Sequence, residues 1–350
     1  MTTRMHVDLD ALRTNIARVR ETVAPAQLMI VVKDDAYGHG LEAVARTAAT
    51  AGVTWFGAFD VRTGSAVRAA VGPVPRIFAW IAASRSELDE AIAADLDLGI
   101  GDSDLLEELA VAAQHAAVVA RVHLKIDTGL HRNGVRPEHW SAFVDRAAAL
   151  ETGGLIEVVG VWSHIAEASD AEDDEARVAF EHAVAVARAA GLRPRVRHLA
   201  ASAASFARPE FRYDMVRVGA FCYGIRSAGG PSASDLGVTP IARLDAAVTA
   251  VRGDDVHIAL GGLQGLPTAL RGRGAVVGTP AGARELRLVG LHESIVASWP
   301  GAQNGDAVTV YGPGVAGEVS ATDLAELIGT IGEEIAVRVS PLIPRTYAGE

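Results

Sequence analysis

What this 350-residue chain lacks excludes several classes of protein. It has a single cysteine, Cys222 in the apolar run GAFCYG, so neither a disulfide framework nor a cysteine-based metal cluster can form within it. No stretch of about 18 uncharged apolar residues occurs, and the opening MTTRMHVDLDAL contains no apolar signal core. These absences predict a soluble, cytoplasmic protein without a membrane partner.

Positive charge is also scarce. Lys and Arg number 32 against 43 Asp and Glu, which gives a formal net charge of −11. An acidic balance of this size disfavours nucleic acid or an anionic membrane as a partner. The chain is 49% apolar and long enough to bury the core of one large domain or two ordinary ones.

Short apolar segments alternate with amphipathic helical patterns from residue 28 to residue 218. In the helical patterns, such as SRSELDEAIAADL, apolar residues recur at spacings of three and four. Eight β/α repeats in about 200 residues predict a closed (β/α)8 barrel. The alternative, a doubly wound sheet, is disfavoured because no GxGxxG follows the first strand. The predicted strands lie near Leu28–Lys33, Thr54–Phe59, Arg76–Trp80, Asp97–Ile100, Val119–Ile126, Leu155–Ser163, Arg195–His198 and Met215–Val218.

The pattern changes at Gly229. After the turn-rich GGPSASDLG, segments such as ARLDAAVTAV and ELRLVGL alternate with glycine-rich turns, and one helix is predicted over 321–332. We therefore predict an α/β protein with an N-terminal barrel domain over 1–228. A C-terminal, mainly antiparallel β domain over 229–350 follows, and residues 1–10 are a candidate additional strand of it.

Polar and ionisable side chains follow at least five of the eight predicted barrel strands. Barrels of this kind carry their active sites at the carboxyl ends of the strands. Lys33 is the most informative, because a lysine in a partly apolar setting can form a Schiff base with an aldehyde. Each candidate also has an ordinary structural alternative. Lys33 could be a surface lysine, Arg217 could pair with Asp214 or a neighbouring carboxylate, and Ser202 could be a helix N-cap. His164 and His198 could be histidines of the core or of the barrel rim. The candidates are Lys33, Lys125, Asp127, Arg132, His164, His198, Ser202 and Arg217.

The segment VVKDDAYGHG around Lys33 closely resembles VVKxDAYGHG, the cofactor-lysine motif of alanine racemases, which are fold type III pyridoxal-phosphate enzymes. KIDTGLHRNGV resembles that family's KxDTGMxRxG motif. GVWSHIAEASD, HLAASAAS and YDMVRVGAFCYGI follow in the family's order, and the resemblance continues to the end of the chain. It implies an amino-acid racemase that uses pyridoxal phosphate and forms a homodimer with shared active sites.

The resemblance also implies roles for individual residues. Lys33 holds pyridoxal phosphate as a Schiff base and acts as the base on one face of the substrate. Arg217 faces the pyridine nitrogen, and because a guanidinium keeps its protons, that nitrogen stays unprotonated. His164 lies at the ring, and Arg132 lies by the phenolic oxygen and the substrate carboxylate. Lys125 occupies a position that some family members carbamylate, and no metal is implied. The residues that resemble the phosphate site are Tyr37, Ser202, Gly219, Ala220 and Tyr347.

The chain departs from the family on the substrate side. Gly262, in HIALGGLQGLP, takes the position of the family's second catalytic base, a tyrosine that the partner subunit supplies in a GYxDG motif. No tyrosine occurs between residues 224 and 310, so no shift of the alignment restores one. The MDQ motif, whose backbone helps to hold the substrate carboxylate, reads Leu291-His292-Glu293. Ala201 replaces the asparagine of HxxNS, and Leu130 replaces the methionine of the KxDTGM motif.

These departures leave three readings of the function. The first is a racemase that interconverts L- and D-alanine or a related amino acid with altered or reduced activity, through His292, His257 or water as the substitute base. The second is a one-base enzyme acting on a different or bulkier amino acid. The third is a non-catalytic pyridoxal-phosphate-binding paralogue.

Overall fold

The structure, a computed structural model, describes residues 3–167 and 169–350. The strands are β1 Arg4–Asp8, β2 Gln27–Val31, β3 Trp55–Asp60, β4 Arg76–Ile81, β5 Asp97–Ile100, β6 Ala120–Lys125, β7 Ile156–Trp162, β8 Val196–His198, β9 Met215–Val218, β10 Ala242–Arg252, β11 Asp255–Ile258, β12 Val276–Thr279, β13 Gly282–Val289, β14 Ser294–Ala297, β15 Ala307–Tyr311 and β16 Arg345–Ala348. The α-helices are α1 Leu9–Val23, α2 Leu41–Thr50, α3 Val61–Val71, α4 Arg85–Ala93, α5 Ser103–Ala116, α6 Pro137–Thr152, α7 Asp170–Ala189, α8 Ser202–Ala207, α9 Ala233–Leu236, α10 Ala321–Leu327 and α11 Gly332–Val337.

The described residues form two compact units that alternate along the chain. The barrel unit contains residues 19–33, 52–167 and 169–219. The β unit contains residues 3–18, 34–51 and 220–350. Because neither unit is one continuous segment, the domain boundary at 228/229 stays a prediction.

In the barrel unit, strands β2 to β9 pair in chain order and close into a parallel barrel. The closing pair is β2 with β9, in a register that sets Leu28 opposite Val216. This confirms the predicted eight-stranded barrel and excludes the doubly wound sheet. Several predicted strand boundaries are wrong by one or two residues. The one that concerns the candidate site is the end of β2 at Val31, so Lys33 lies beyond the strand and not at its last position.

Local signals in the sequence explain why the helices of the barrel unit start where they do. Asp60 caps α3 by accepting the N–H of Thr63 at 2.7 Å, and Asp102 caps α5 by accepting the N–H of Leu105 at 3.0 Å. Within the barrel unit, large apolar side chains from several strands pack together in one buried cluster. This cluster contains Met29, Trp55, Phe78, Val159, Trp162, Val196 and Met215.

The β unit is an eight-stranded sheet in the order β11-β14-β13-β12-β15-β10-β1-β16. All of its pairs are antiparallel except β1 with β16, which is parallel. The predicted helix over 321–332 is wrong in extent, because α10 ends at Leu327 and α11 begins at Gly332. Between them Gly329 adopts a left-handed φ of +72°, which interrupts the helix. No helix in residues 3–167 and 169–350 is long and apolar enough to span a membrane.

Candidate active site

Lys33 begins an unusual stretch of backbone. The N–H of Val32 still bonds the carbonyl of Gly57 at 2.9 Å, but residues Asp34–Tyr37 then take φ values of 53–56° and ψ values of 37–51°. This is one left-handed helical turn made of four non-glycine residues, a conformation that costs roughly 1–2 kcal/mol per residue. Strain of this kind persists where the surrounding structure holds it, and it concentrates at functional sites. The turn therefore marks the backbone after Lys33 as functional.

Arg217 lies on β9 and is buried, with 5% of its surface exposed. Its Nη1 donates to His198 Nδ1 at 3.1 Å. Three acceptors surround Nη2: the carbonyl oxygens of Ser163 at 2.8 Å and Leu199 at 3.0 Å, and His164 Nδ1 at 3.1 Å. The alternative pairing with Asp214 is wrong, because that carboxylate binds Arg197 at 2.7 Å. Arg217 is thus fixed by neutral groups.

Several positive charges of the barrel unit act on the pKa of His164. Burial, followed by the charges of Arg217, Arg132, Lys125 and Lys33, lowers the pKa of His164 to about 3. The imidazole is therefore neutral at neutral pH. Four cations acting on one half-buried histidine form a setting that favours an anionic occupant, as a phosphorylated cofactor or an amino-acid carboxylate requires.

The two lysines of the whole sequence, Lys33 and Lys125, both belong to this unit. Lys125 Nζ lies 4.3 Å from the centre of the Trp162 ring. Burial and then the charges of Arg217 and Arg132 lower the pKa of Lys125 to about 8, with Asp127 opposing them. A substantial fraction of Lys125 is therefore an uncharged amine in mildly alkaline solution.

Asp127 and Arg132 lie in the segment after β6. Asp127 Oδ1 accepts the N–H groups of Gly129 and His131 at 3.1 and 3.0 Å, and its Oδ2 contacts the His131 ring at 3.0 Å. Asp127 therefore orders the loop, whereas the Arg132 side chain is exposed. An exposed guanidinium whose charge reaches Lys125 and His164 is available to a small anion.

Ser202 and Gly219 meet in the barrel unit. The N–H of Gly219 donates to Ser202 Oγ at 3.3 Å. The expectation that Ser202 caps a helix is wrong: Ala201 occupies the N-cap of α8, and Ser202 is the first helical residue. Its hydroxyl therefore lies at the end of β9, and not over the first turn of the helix.

The other three residues that resemble a phosphate site belong to the β unit. Tyr37 is buried, its ring centre lies 4.9 Å from that of Tyr223, and burial raises the pKa of its hydroxyl. Tyr347 lies directly against Gly40, where an added Cβ atom would come within 1.9 Å of the Tyr347 hydroxyl oxygen. Gly40 is therefore required for Tyr347 to occupy its place. Ala220 is buried and begins a 3-10 turn, Ala220–Tyr223.

The segments around Gly262 and Leu291 form a pair of turns in the β unit. The N–H of Gly262 donates to the carbonyl of Gly290 at 2.8 Å, and the N–H of Leu263 to that of Leu291 at 2.9 Å. Leu263 and Leu291 are 61% and 63% exposed. The structure thus brings together two of the segments at which the sequence analysis expects a departure from the family motifs.

Two histidines were candidates for a substitute base near these turns. His257 Nδ1 contacts Glu293 Oε1 at 3.1 Å and is buried, whereas His292 is exposed. His257 is thus held by a carboxylate, and His292 is accessible to solvent.

Sequence reasoning missed His123, Asp97 and Trp162, which line the interior below Arg217. Trp162 stacks on His198 with a ring separation of 5.7 Å, and His123 Nδ1 lies 2.8 Å from His198 Nε2 at the edge of that ring. A polar residue inside an apolar strand was the available signal, as in RVHLK of β6 and DLGI of β5. These contacts hold His198, which in turn accepts a hydrogen bond from Arg217.

Known proteins resemble the chain over its whole length. The N-terminal domain of alanine racemases matches residues 7–227. An alanine racemase of Beutenbergia cavernae is 39% identical over 371 residues, which cover 99% of this chain and 98% of that protein. An alanine racemase of Thermobifida fusca is 37% identical and covers 98% and 97%. The solved alanine racemase of Streptomyces coelicolor superposes with a TM-score of 0.95 at 34% identity, over 100% and 98% of the two chains.

The chain belongs to the alanine racemase family. It has that family's fold, and it is an isomerase of the racemase type in a family that depends on pyridoxal phosphate. The residues of the barrel unit fit such a cofactor. The buried Arg217 offers hydrogen-bond donors to a ring nitrogen, the four cations suit its negative charges, and Lys33 supplies an amine.

Proposed function

We propose that the protein is a pyridoxal-phosphate-dependent amino-acid racemase that acts on alanine or a related small amino acid, with reduced activity. The observation that carries the proposal is the set of cations Lys33, Lys125, Arg132 and Arg217 around the neutral His164 in the barrel unit. Supporting it are the cofactor-lysine motif at Lys33 and relatives called alanine racemase at 39% and 37% identity.

In this proposal Lys33 binds the cofactor covalently, Arg217 donates to its ring nitrogen and His164 lies beside the ring. Pyridoxal phosphate, when bound, withdraws electrons from the α-carbon of an amino acid and so makes its proton acidic. Arg132 binds the substrate carboxylate. The phosphate roles of Tyr37, Ser202, Gly219, Ala220 and Tyr347 follow the family resemblance and are part of the proposal.

The Lys33 amine takes and returns the α-proton on one face of the substrate. We propose that Gly262 stands where the family has its second base, so the chain itself offers no phenol for the other face. Loss of a positioned acid or base typically removes about 10²–10⁴ in rate. His292, which is exposed, is the better placed substitute, because His257 is held by Glu293.

We extend the proposal to Lys125, which occupies the position that some family members carbamylate. Carbon dioxide reacts with an uncharged amine, and a pKa of about 8 makes that form of Lys125 available. A carbamate there would place a negative charge near Arg132 and orient it. Carbon-13 NMR in labelled bicarbonate should show a carbamate signal that Lys125→Arg removes.

A one-base enzyme acting on a bulkier amino acid is the second candidate. The observation that favours it is the side chains of residues 262–264, Gly, Leu and Gln, none of which can exchange a proton near neutral pH. Exposed Leu263 and Leu291 offer apolar surface to a larger side chain.

The deciding experiment follows the α-proton. L-Alanine and D-alanine are incubated separately with the holoenzyme in D₂O, and loss of the α-proton signal is compared with inversion measured by chiral chromatography. Exchange with inversion from both enantiomers supports the racemase. Exchange with retention from one enantiomer supports the one-base enzyme. Absence of exchange with alanine and with a panel of larger amino acids would support a binding protein and contradict both.

Because the chain has two lysines, the cofactor lysine can be identified without ambiguity. Borohydride treatment of the yellow holoenzyme, followed by peptide mass spectrometry, should fix the cofactor on Lys33. Lys33→Arg should abolish both the yellow colour and the labelling, whereas Lys125→Arg keeps them. A colourless protein that takes up no cofactor would overturn the proposal.

We also propose that the protein works as a homodimer, as the family resemblance implies. Sedimentation velocity of the holoenzyme should give a single dimeric species at micromolar concentration. A monomer that still turns over substrate would contradict this.

A further inference from the structure

Arg217 is a buried cation, and its positive charge needs compensation. It is buried, and among residues 3–167 and 169–350 no carboxylate lies within ion-pair distance of its guanidinium. Its partners there are two imidazole nitrogens and two backbone carbonyls. A buried charge costs several kcal/mol unless polar groups or an opposite charge compensate it.

A line of three hydrogen bonds leads from Arg217 through the barrel to a carboxylate. Arg217 Nη1 lies 3.1 Å from His198 Nδ1. His198 Nε2 lies 2.8 Å from His123 Nδ1. His123 Nε2 lies 3.3 Å from Asp97 Oδ2. The four side chains come from β9, β8, β6 and β5, and all four residues are buried.

The direction of each hydrogen bond follows from the donor at one end. A guanidinium only donates, so His198 Nδ1 must accept, and the proton of neutral His198 must lie on Nε2. His198 Nε2 then donates to His123 Nδ1, which places the proton of His123 on its Nε2. That proton points at Asp97, which accepts as a carboxylate. The opposite order would set two donors against each other at 3.1 Å.

The other contacts agree with this order. Burial lowers the pKa of both His123 and His198, so both are neutral near pH 7. For Asp97, burial acts to raise the pKa, but the hydrogen bond from His123 and the charge and hydrogen bond of Arg76 outweigh it and hold the pKa below its usual range. Asp97 also binds Arg121 at 2.6 Å. The carboxylate therefore persists at the far end of the chain of bonds.

The barrel also provides the room that the two rings need. Gly160 on β7 lies next to His123, and an added Cβ atom there would come within 2.5 Å of His123 Nδ1. Phe78 contacts both imidazoles edge-on or at a tilt, and Trp162 stacks on His198, so neither ring can turn freely. The orientations of the two rings are thus held by packing as well as by hydrogen bonds.

We propose that Asp97, His123 and His198 form one directed hydrogen-bond relay that anchors Arg217, with the Asp97 carboxylate as its terminal acceptor. Asp97 and His123 are positioning residues: they act through His198 and keep the guanidinium in place with its donors directed. The proposal rests on the proposed function only for what Arg217 faces. The relay itself exists in the protein with or without turnover, so the two can fail separately.

The first test reads the protons directly. Nitrogen-15 NMR of histidine-labelled holoenzyme distinguishes a protonated ring nitrogen from an accepting one, and His123→Phe and His198→Asn assign the signals among the 11 histidines. We expect both His123 and His198 as neutral Nε2–H tautomers at pH 7. A proton on Nδ1 of either residue, or an imidazolium, overturns the relay. This measurement on the unaltered protein stands even if a variant does not fold.

The second test interrupts the relay at His123 and leaves Arg217 itself unchanged. His123→Phe keeps the ring volume but removes both hydrogen bonds, whereas Phe78→Leu disturbs the same packing and leaves the relay intact. We expect His123→Phe to leave the Nε2–H group of His198 without its acceptor, to shift the absorbance of the bound cofactor and to weaken cofactor binding by about tenfold, or 1.4 kcal/mol. Phe78→Leu should leave the tautomer and the absorbance unchanged. Equal behaviour of the two variants would mean that His123 acts by packing alone, and it would refute the relay.

Discussion

The interior of the barrel below Arg217 and the turn pair at Gly262 and Leu291 are built in opposite ways. In the barrel, buried polar side chains bond one another in an unbroken line from Arg217 to Asp97. At the turn pair, the bonds that join the two segments are made by backbone groups, and leucines face solvent. The first region specifies the place of a charged group, and the second specifies only the course of the chain.

This difference bears on the departures from the family motifs that the sequence analysis expects at the turn pair. Arg217 and His198 belong both to the motif segments and to the barrel network, where one substitution would strand a buried charge or donor. Backbone hydrogen bonds hold the turn at Gly262. The fold of the turn pair therefore does not depend on a side chain at position 262.

The largest expected effect breaks the barrel network. Asp97→Asn removes a buried carboxylate bound by Arg76, Arg121 and His123, and it should lower the free energy of unfolding by about 3–5 kcal/mol. Urea unfolding of the full chain at pH 7 measures it. As the control, Glu107→Gln breaks a half-exposed pair with Arg146 and should cost at most about 1 kcal/mol. Equal losses in the free energy of unfolding of the two variants would show that the network stabilises the fold no more than a half-exposed ion pair does.

Lowering the pH should destabilise the protein through His39, a buried imidazole that is not part of the relay. Burial, opposed by the backbone bond to Ala36, lowers the pKa of His39 to about 4 from 6.5. Because the folded-state pKa is the lower one, stability is complete above pH 6.5 and is lost as pH falls toward 4, by about 3 kcal/mol from this group. Urea unfolding at several pH values should give a shallower loss for His39→Phe. The same pH dependence in both proteins would rule out His39 as a source.

Introducing a phenol at position 262 tests whether the turn pair lacks a catalytic base. Gly262 does not have a left-handed φ, and an added Cβ atom would lie 3.1 Å from Thr268 Cγ2, a contact that a small shift of that side chain relieves. Gly262→Tyr should raise kcat/KM for alanine racemisation by about 100-fold, the lower end of the about 10²–10⁴ that one positioned acid or base contributes. Leu263→Tyr, one position along, should leave it unchanged. Identical kinetics for the two variants would place the second base elsewhere.

The smallest expected effect concerns the left-handed turn after Lys33. At exposed Asp34, with φ 53° and ψ 49°, Asp34→Gly should be more stable than Asp34→Ala by about 1 kcal/mol, because glycine adopts this conformation freely. At exposed Glu42 in the right-handed helix α2, the order should reverse by a similar amount. Thermal unfolding of the four variants decides it, and the same order at both sites would contradict the assigned backbone.

Much of the barrel and of the candidate site follows from short sequence patterns. The strand β5 was predicted at Asp97–Ile100 and β9 at Met215–Val218, because each is a buried apolar run between helical patterns. The same patterns indicate Lys33 and His164, which end or follow apolar runs, and Arg217, which lies within one. Ser202 was misread because the preference of serine for a helix N-cap competes with its bond to the N–H of Gly219, which lies 17 residues away in sequence.

The order of residues alone specifies what depends on neighbours in the chain: the alternation of strands and helices, the helix caps at Asp60 and Asp102, the lysine motif, and the absence of a tyrosine near Gly262. Folding decides what depends on residues far apart. Asp97 and Arg217 are separated by 120 positions, yet two imidazoles connect them because β5, β6, β8 and β9 close into one barrel. The left-handed turn at Asp34–Tyr37 belongs to the same class, because no local preference of four non-glycine residues favours it.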